Sequence, residues 1–166
     1  KNPEFLEIRS VEDLDRCLED HLIGIILYME GLDCIGSDVR LLTALWELGV
    51  RGASLTWSRR NLLASGCCKA SECYEIRGGL SPEGFDVVRE MERLRMFVDV
   101  SHLNDDGFEN IRETAIRPFM ATHSNSREVA FHYRNLTDTQ MQILADQGGI
   151  AGLNGYVRLV SETAEE

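Results

Sequence analysis

A unit that recurs along the whole chain constrains its fold most: a polar helix cap, an amphipathic helical stretch, a glycine or polar break, then a short apolar strand. Single helices between strands make neighbouring strands parallel, because each crossover carries the chain back to the edge it left. Ser10-Val11-Glu12-Asp13 has the capping-box pattern and predicts a helix to about His21, with a buried strand at 23–28. Ser37 is expected to cap a helix whose Leu41, Leu42, Leu45, Trp46 and Leu48 share a face, and Gly49 to end it. Residues 50–56 read as a strand, followed by a long loop at 57–80. Ser81-Pro82-Glu83 then sets a hydroxyl at the N-cap and proline at the first helical position. That helix turns Val87, Val88, Met91 and Leu94 inward and leads to a strand at 96–100. Asn104 caps the next helix, with Phe108, Ile111 and Ala115 on one face, before a strand at 119–122. Thr137-Asp138-Thr139-Gln140 is a second capping box, opening a helix that stops at Gly148-Gly149, and 150–154 is the last strand.

About five such βα units make either an open doubly wound sheet or part of a (β/α)8 barrel. A nucleotide-binding open sheet carries a glycine-rich phosphate loop after its first strand. Met29-Glu30-Gly31 and the Ser101-His102 turn are no such cradle. The expected fold class is therefore α/β, a partial (β/α)8 barrel. A hydrophobic fraction of 43% and a charged fraction of 27% suit an ordinary globular core.

With 17 basic and 28 acidic residues, the net charge of −11 opposes a polyanion, and the tightest basic cluster is only Arg59-Arg60. Nucleic acid is excluded as a partner on that ground. No apolar run approaches the roughly 18 residues of a transmembrane helix, and the stretch at 22–29 is broken by Gly24. Of the five cysteines, Cys67, Cys68 and Cys73 share the long loop without the paired spacing of a structural zinc site. Free thiols are the default for that cluster, with a metal or redox role the lesser reading and one disulfide inside the loop the alternative in an exported protein. The chain opens at Lys1 without a signal segment and closes on the polar Thr163-Ala164-Glu165-Glu166. Residues 1–166 are expected to be the central part of one barrel domain within a longer protein.

The chemistry concentrates where strands end: Glu30, Thr56-Trp57, Ser101-His102, Thr122-His123 and Asn154. In a barrel these ends converge on the catalytic face. One carboxylate and two imidazoles are ligand types that zinc takes. Each histidine, taken singly, also fits a structural hydrogen bond, and Glu30 fits a helix cap or an ion pair. Asp99, inside the strand before His102, is expected either to orient that ring or to pair with a neighbouring strand. His21 and His132 read as solvated.

Larger motifs cover most of the chain. Gly79-Leu80-Ser81-Pro82-x-Gly84-x-x-Val87-Val88-Arg89-Glu90-Met91 with Val98-Asp99-Val100-Ser101-His102-Leu103 resembles the signature core of the membrane (renal) dipeptidase family. Ala121-Thr122-His123-Ser124-Asn125-Ser126-Arg127, Arg134-Asn135-Leu136-Thr137-Asp138 and Gly148-Gly149-Ile150-Ala151-Gly152-Leu153-Asn154 are similar to its later blocks, in the same order. The separation of His102 and His123 is also the family's. The resemblance implies a (β/α)8 barrel with two zinc ions bridged by one glutamate, and metal-assisted hydrolysis in which water attacks a dipeptide's peptide bond. It implies metal ligands at Glu30, His102 and His123, and places Arg134 on the arginine that binds the substrate's C-terminal carboxylate. Asn154 and Trp57 fall among the substrate-contacting positions. Trp57 is a departure, because some members carry a substrate-contacting histidine there, and tryptophan cannot act as a cation or an acid–base group. The resemblance also puts a His-x-Asp ligand pair upstream of Lys1 and the catalytic aspartate beyond Glu166, and suggests a homodimer. The alternatives are an inactive binding or structural barrel homologue, and a metal-dependent amide or lactam hydrolase on the same fold.

Overall fold

A computed structural model describes residues 4–67 and 78–161. Strand β1 (Phe5–Glu7) pairs in parallel with β2 (Ile23–Ile25), and β3 (Leu27–Glu30), β4 (Val50–Ser54) and β5 (Phe97–Asp99) form a second parallel sheet in that order. Segment 119–122 continues that sheet beside β5, with Val100 N donating to Met120 O at 2.8 Å and Met120 N to Val98 O at 3.0 Å. Segment 150–154 lies next, with Ala121 N donating to Ile150 O at 2.9 Å and Gly152 N to Ala121 O at 2.8 Å. Along this second sheet, each strand or segment lies beside its sequence predecessor, as a parallel βα succession requires. The fold is mixed α/β with parallel sheets.

Helices α1 (Val11–Glu19), α2 (Arg40–Glu47), α3 (Pro82–Arg93), α4 (Asp105–Thr114) and α5 (Asp138–Asp146) follow the predicted units. The Ser10 and Thr137 capping boxes form, as do the Ser81 and Asn104 N-caps, so each helix start has a partner for its otherwise orphaned N–H groups. Gly49 follows α2 at φ 106°, a conformation a side chain would strain. Val87, Val88 and Met91 of α3 are fully buried and join Ala53, Val98, Phe108, Ile111 and Phe119 in one core. Truncating any of the larger of these side chains to alanine costs about 2–5 kcal/mol.

Two local expectations fail. Ser37 does not cap α2, whose N-cap is Val39; the Asp38 carboxylate instead accepts the Arg40 N–H at 3.1 Å. The strand expected at 23–28 breaks at Ile26 into β2 and β3 and is not buried, with Ile23 55% and Ile26 50% exposed. Strand β1 went unforeseen because three residues show no readable periodicity. Cys17 and Cys34 are free thiols, while Cys68, Cys73 and most of their loop lie outside the described residues. Among the described residues no helix is long and apolar enough to cross a membrane.

Candidate metal centre

The parallel strands bring their C-terminal ends to one side, and three side chains meet there. Glu30 closes β3, His102 follows β5, and His123 follows segment 119–122. Glu30 Oε1 lies 2.8 Å from His102 Nε2 and 3.0 Å from His123 Nε2, and the two Nε2 atoms are 3.0 Å apart. Among the described residues these form a group of three potential ligands within 4.8 Å of one another. A tetrahedral zinc with bonds of about 2.05 Å spaces its ligand atoms about 3.3 Å apart. The triangle therefore needs to open by only a few tenths of an ångström to suit such an ion.

The rings are held from behind, as ligating imidazoles must be. His102 Nδ1 faces Ser58 Oγ at 2.8 Å, and Trp57 stacks on its ring at 5.5 Å between centroids. His102 itself sits at φ 75°, an uncommon backbone state for a side-chain-bearing residue. Burial, aided by the Arg134 charge, pushes its pKa down to about 4, outweighing the opposite pull of Glu30. The ring is thus neutral at pH 7, the form that binds metal. His123 Nδ1 meets Thr122 Oγ1 at 2.6 Å.

Asp99 does not orient His102. The nearer Ser58 takes that place, and the carboxylate turns instead toward segment 119–122, where Thr122 Oγ1 donates to Asp99 Oδ2 at 2.5 Å. Its second partner is the Tyr28 hydroxyl at 2.6 Å, whose pKa burial and the Asp99 charge raise.

Beside the cluster, a cavity of about 450 Å³ is lined by Trp57, His132, Arg134, Asn154, Tyr156 and Leu159, among others. Arg134 is 6% exposed; Nη1 donates to Ser124 Oγ at 2.7 Å, and Nη2 is buried without a hydrogen-bond partner among the described residues. An unpaired buried guanidinium nitrogen costs free energy until an acceptor arrives, so the cavity suits an anionic ligand group. Asn154 borders the cavity, but its amide serves the loop: Oδ1 accepts from Tyr156 N at 2.8 Å, and Nδ2 points to His123 O at 3.4 Å. His132, read from the sequence as solvated, is partly buried. It lines the cavity, and its Nδ1 accepts the Arg134 backbone N–H at 3.0 Å, which leaves the ring proton on Nε2. Desolvation first, then the Arg134 and Arg127 charges, lower its pKa. Ser58, Tyr28 and Ser124 were not foreseen from the sequence; only their positions one or two residues from the strand-end residues hinted at them.

Parallel strands that end in a carboxylate–imidazole cluster, with a buried arginine alongside, make this an α/β protein with a candidate metal site. Its family is also identifiable. The model of the membrane dipeptidase family (peptidase family M19) matches residues 1–166, and the chain belongs to that family. It is 34% identical over 146 residues to an uncharacterized protein in the pqqA 5′ region of Klebsiella pneumoniae, covering 87% of this chain and 54% of that protein. It is 30% identical over 157 residues to the dipeptidase tcpJ of Claviceps purpurea, covering 95% of this chain and 36% of that one. A crystal structure of a Rhodobacter sphaeroides metallo peptidase, liganded with a phosphinate mimic of the dipeptide L-Ala-D-Ala, superposes with a TM-score of 0.90 at 31% identity. That match covers 97% of this chain and 46% of the other. The chain spans about half, or less, of the length of these relatives.

Proposed function

We propose that the complete protein is a zinc-dependent dipeptidase and that residues 1–166 supply the central part of its (β/α)8 barrel. Glu30, His102 and His123 would hold zinc, two ions in the complete site, with the remaining ligands and the catalytic aspartate contributed from outside this chain. When bound, the metal polarises the scissile carbonyl and acidifies water. Arg134 binds the substrate's free C-terminal carboxylate through its planar fork, fixing the peptide bond relative to the cluster. Trp57, Tyr156 and Leu159 wall the cavity and limit the water around the bound peptide. His132, one step along the backbone from this arginine's neighbour, offers an N–H donor to the same space. The consecutive parallel order of the strands supports the barrel, and the phosphinate dipeptide mimic held by the Rhodobacter sphaeroides relative supports the substrate class.

One observation carries the reading: three ligand atoms converge beside a buried guanidinium whose Nη2 has no acceptor among the described residues. The test is metal content and peptide turnover of the purified full-length protein. It is expected to contain zinc, to lose activity on chelation and regain it with zinc, and to cleave free dipeptides far better than their C-terminal amides. A His102→Ala/His123→Ala double variant is expected to lose the metal. Chelator-insensitive cleavage, or no cleavage by metal-loaded protein, would refute the assignment.

A further inference from the structure

We infer that Asp99 and Thr122 impose one tautomer on His123, with the proton on Nδ1 and a bare lone pair on Nε2. Asp99 is 0% exposed, and its two oxygens meet four donors. Oδ1 accepts from the backbone N–H groups of Ser101 at 2.8 Å and Thr122 at 3.0 Å. Oδ2 accepts from the Tyr28 hydroxyl at 2.6 Å and the Thr122 hydroxyl at 2.5 Å. A carboxylate only accepts, and four donors fill its lone-pair directions. The single hydroxyl proton of Thr122 is therefore committed to Asp99.

Thr122 Oγ1 also lies 2.6 Å from His123 Nδ1. With its proton already given away, that oxygen has only a lone pair for the ring, so Nδ1 must be the donor. A neutral imidazole with its proton on Nδ1 has none on Nε2. Nε2 is the atom that faces Glu30 Oε1 and His102 Nε2. The hydrogen bonds thus run one way, from His123 through Thr122 to Asp99, with Tyr28 donating to the same oxygen from β3. The corresponding contact at His102 leaves its tautomer open: the Ser58 hydroxyl beside its Nδ1 accepts from Cys67 Sγ at 3.8 Å and can still donate to or accept from the ring. Asp99 and Thr122 are positioning residues for one imidazole of the pair. Their effect on metal affinity rests on the metal-site reading above; the tautomer itself does not.

Three variants of the full-length protein separate the possibilities. Thr122→Val keeps the shape of the side chain and removes the relay oxygen, so either tautomer becomes accessible. Thr122→Ser restores the hydroxyl. Asp99→Asn is nearly isosteric but turns an amide N–H toward Thr122 Oγ1; the freed hydroxyl proton then points at His123 Nδ1 and drives the ring proton to Nε2, where it blocks the ligand position. Zinc affinity by chelator competition is expected to fall about 10- to 100-fold for Asp99→Asn, less for Thr122→Val, and to stay near wild type for Thr122→Ser. Ring ¹⁵N–¹H correlation spectra of the metal-free protein are expected to show His123 protonated on Nδ1 in the wild type and on Nε2 in Asp99→Asn. A wild-type neutral ring protonated on Nε2 overturns the inference, as do unchanged affinities in both Asp99→Asn and Thr122→Val. If the wild type binds no metal, the metal-site reading fails and the spectra alone still decide the tautomer.

Discussion

Replacing Arg134 with lysine retains the positive charge and removes the fork, which isolates what the planar guanidinium contributes. Nη1 gives one N–H to Ser124 Oγ at 2.7 Å, and the buried Nη2 has no acceptor among the described residues. A carboxylate placed end-on to the two nitrogens would receive two charge-assisted hydrogen bonds. An ammonium on a flexible stem makes one of these at a time and cannot also hold Ser124 in the same geometry. Losing one hydrogen bond to a charged group costs about 1.5–3 kcal/mol, which corresponds to roughly a 10- to 150-fold drop in kcat/KM. The assay compares a dipeptide with its C-terminal amide on wild type and Arg134→Lys. The free dipeptide is expected to lose that factor, while the amide, already poor with the wild type, changes little. Metal content is measured alongside to show that the cluster stays intact. An equal loss on both substrates would make Arg134 a structural residue and refute the carboxylate assignment.

Trp57→Ala removes the ring stacked on His102 and one wall of the cavity, and an aromatic contact of about 0.5–1.5 kcal/mol corresponds to a 2- to 12-fold loss. That loss in kcat/KM is expected for dipeptides with bulky apolar side chains and should nearly vanish for glycylglycine; the same loss on both would argue against a substrate wall. Glu92, 8% exposed, accepts the Ile116 N–H at 2.9 Å and the Arg117 N–H at 3.0 Å from one oxygen. Glu92→Leu is expected to lower unfolding free energy by about 1–3 kcal/mol in urea titrations, with Glu92→Gln retaining most of it; equal loss from both would dismiss the acceptor role. Residues 1–166 expressed alone are expected to aggregate and show no dipeptidase activity, because Phe5, Ile23 and Ile25 leave an apolar strand face open, from 41% to 55% exposed. A soluble, cooperatively unfolding monomer in gel filtration and melting experiments would contradict this.

What the sequence reveals and what it hides follow from the range of each interaction. The Ser10 and Thr137 capping boxes are local, spanning three residues, and both form as read. Strand ends at Glu30, His102 and His123 are legible because the helix–strand alternation fixes where each strand stops, and parallel packing then brings those ends together. The orientation of Asp99 is not local. It depends on which donors arrive from β3 and from segment 119–122, and proximity to His102 along the chain was misleading. His132 was hidden for a similar reason: its place in the cavity comes from a turn closed by its own ring and the Arg134 N–H, a bond that residue type alone does not announce. The exposure of β2 contradicts an apolar run that reads as buried, because hydropathy reports what a segment can bury and not whether a partner surface is present.

The two imidazoles of the cluster are secured by separate parts of the fold. His102, at φ 75°, is held by the loop after β4: Ser58 Oγ meets its ring, the Cys67 N–H donates to its carbonyl at 2.8 Å, and Trp57 stacks on it. A left-handed backbone costs a non-glycine residue about 1–2 kcal/mol, so those contacts also offset a local strain. His123 is held from within the sheet, by Thr122 and through it by Asp99, on strand positions that the core fixes. Loops vary among relatives more readily than packed strands do. Substitutions in 57–67 can therefore move His102 and reshape the cavity wall, while the position of His123 stays set by the sheet.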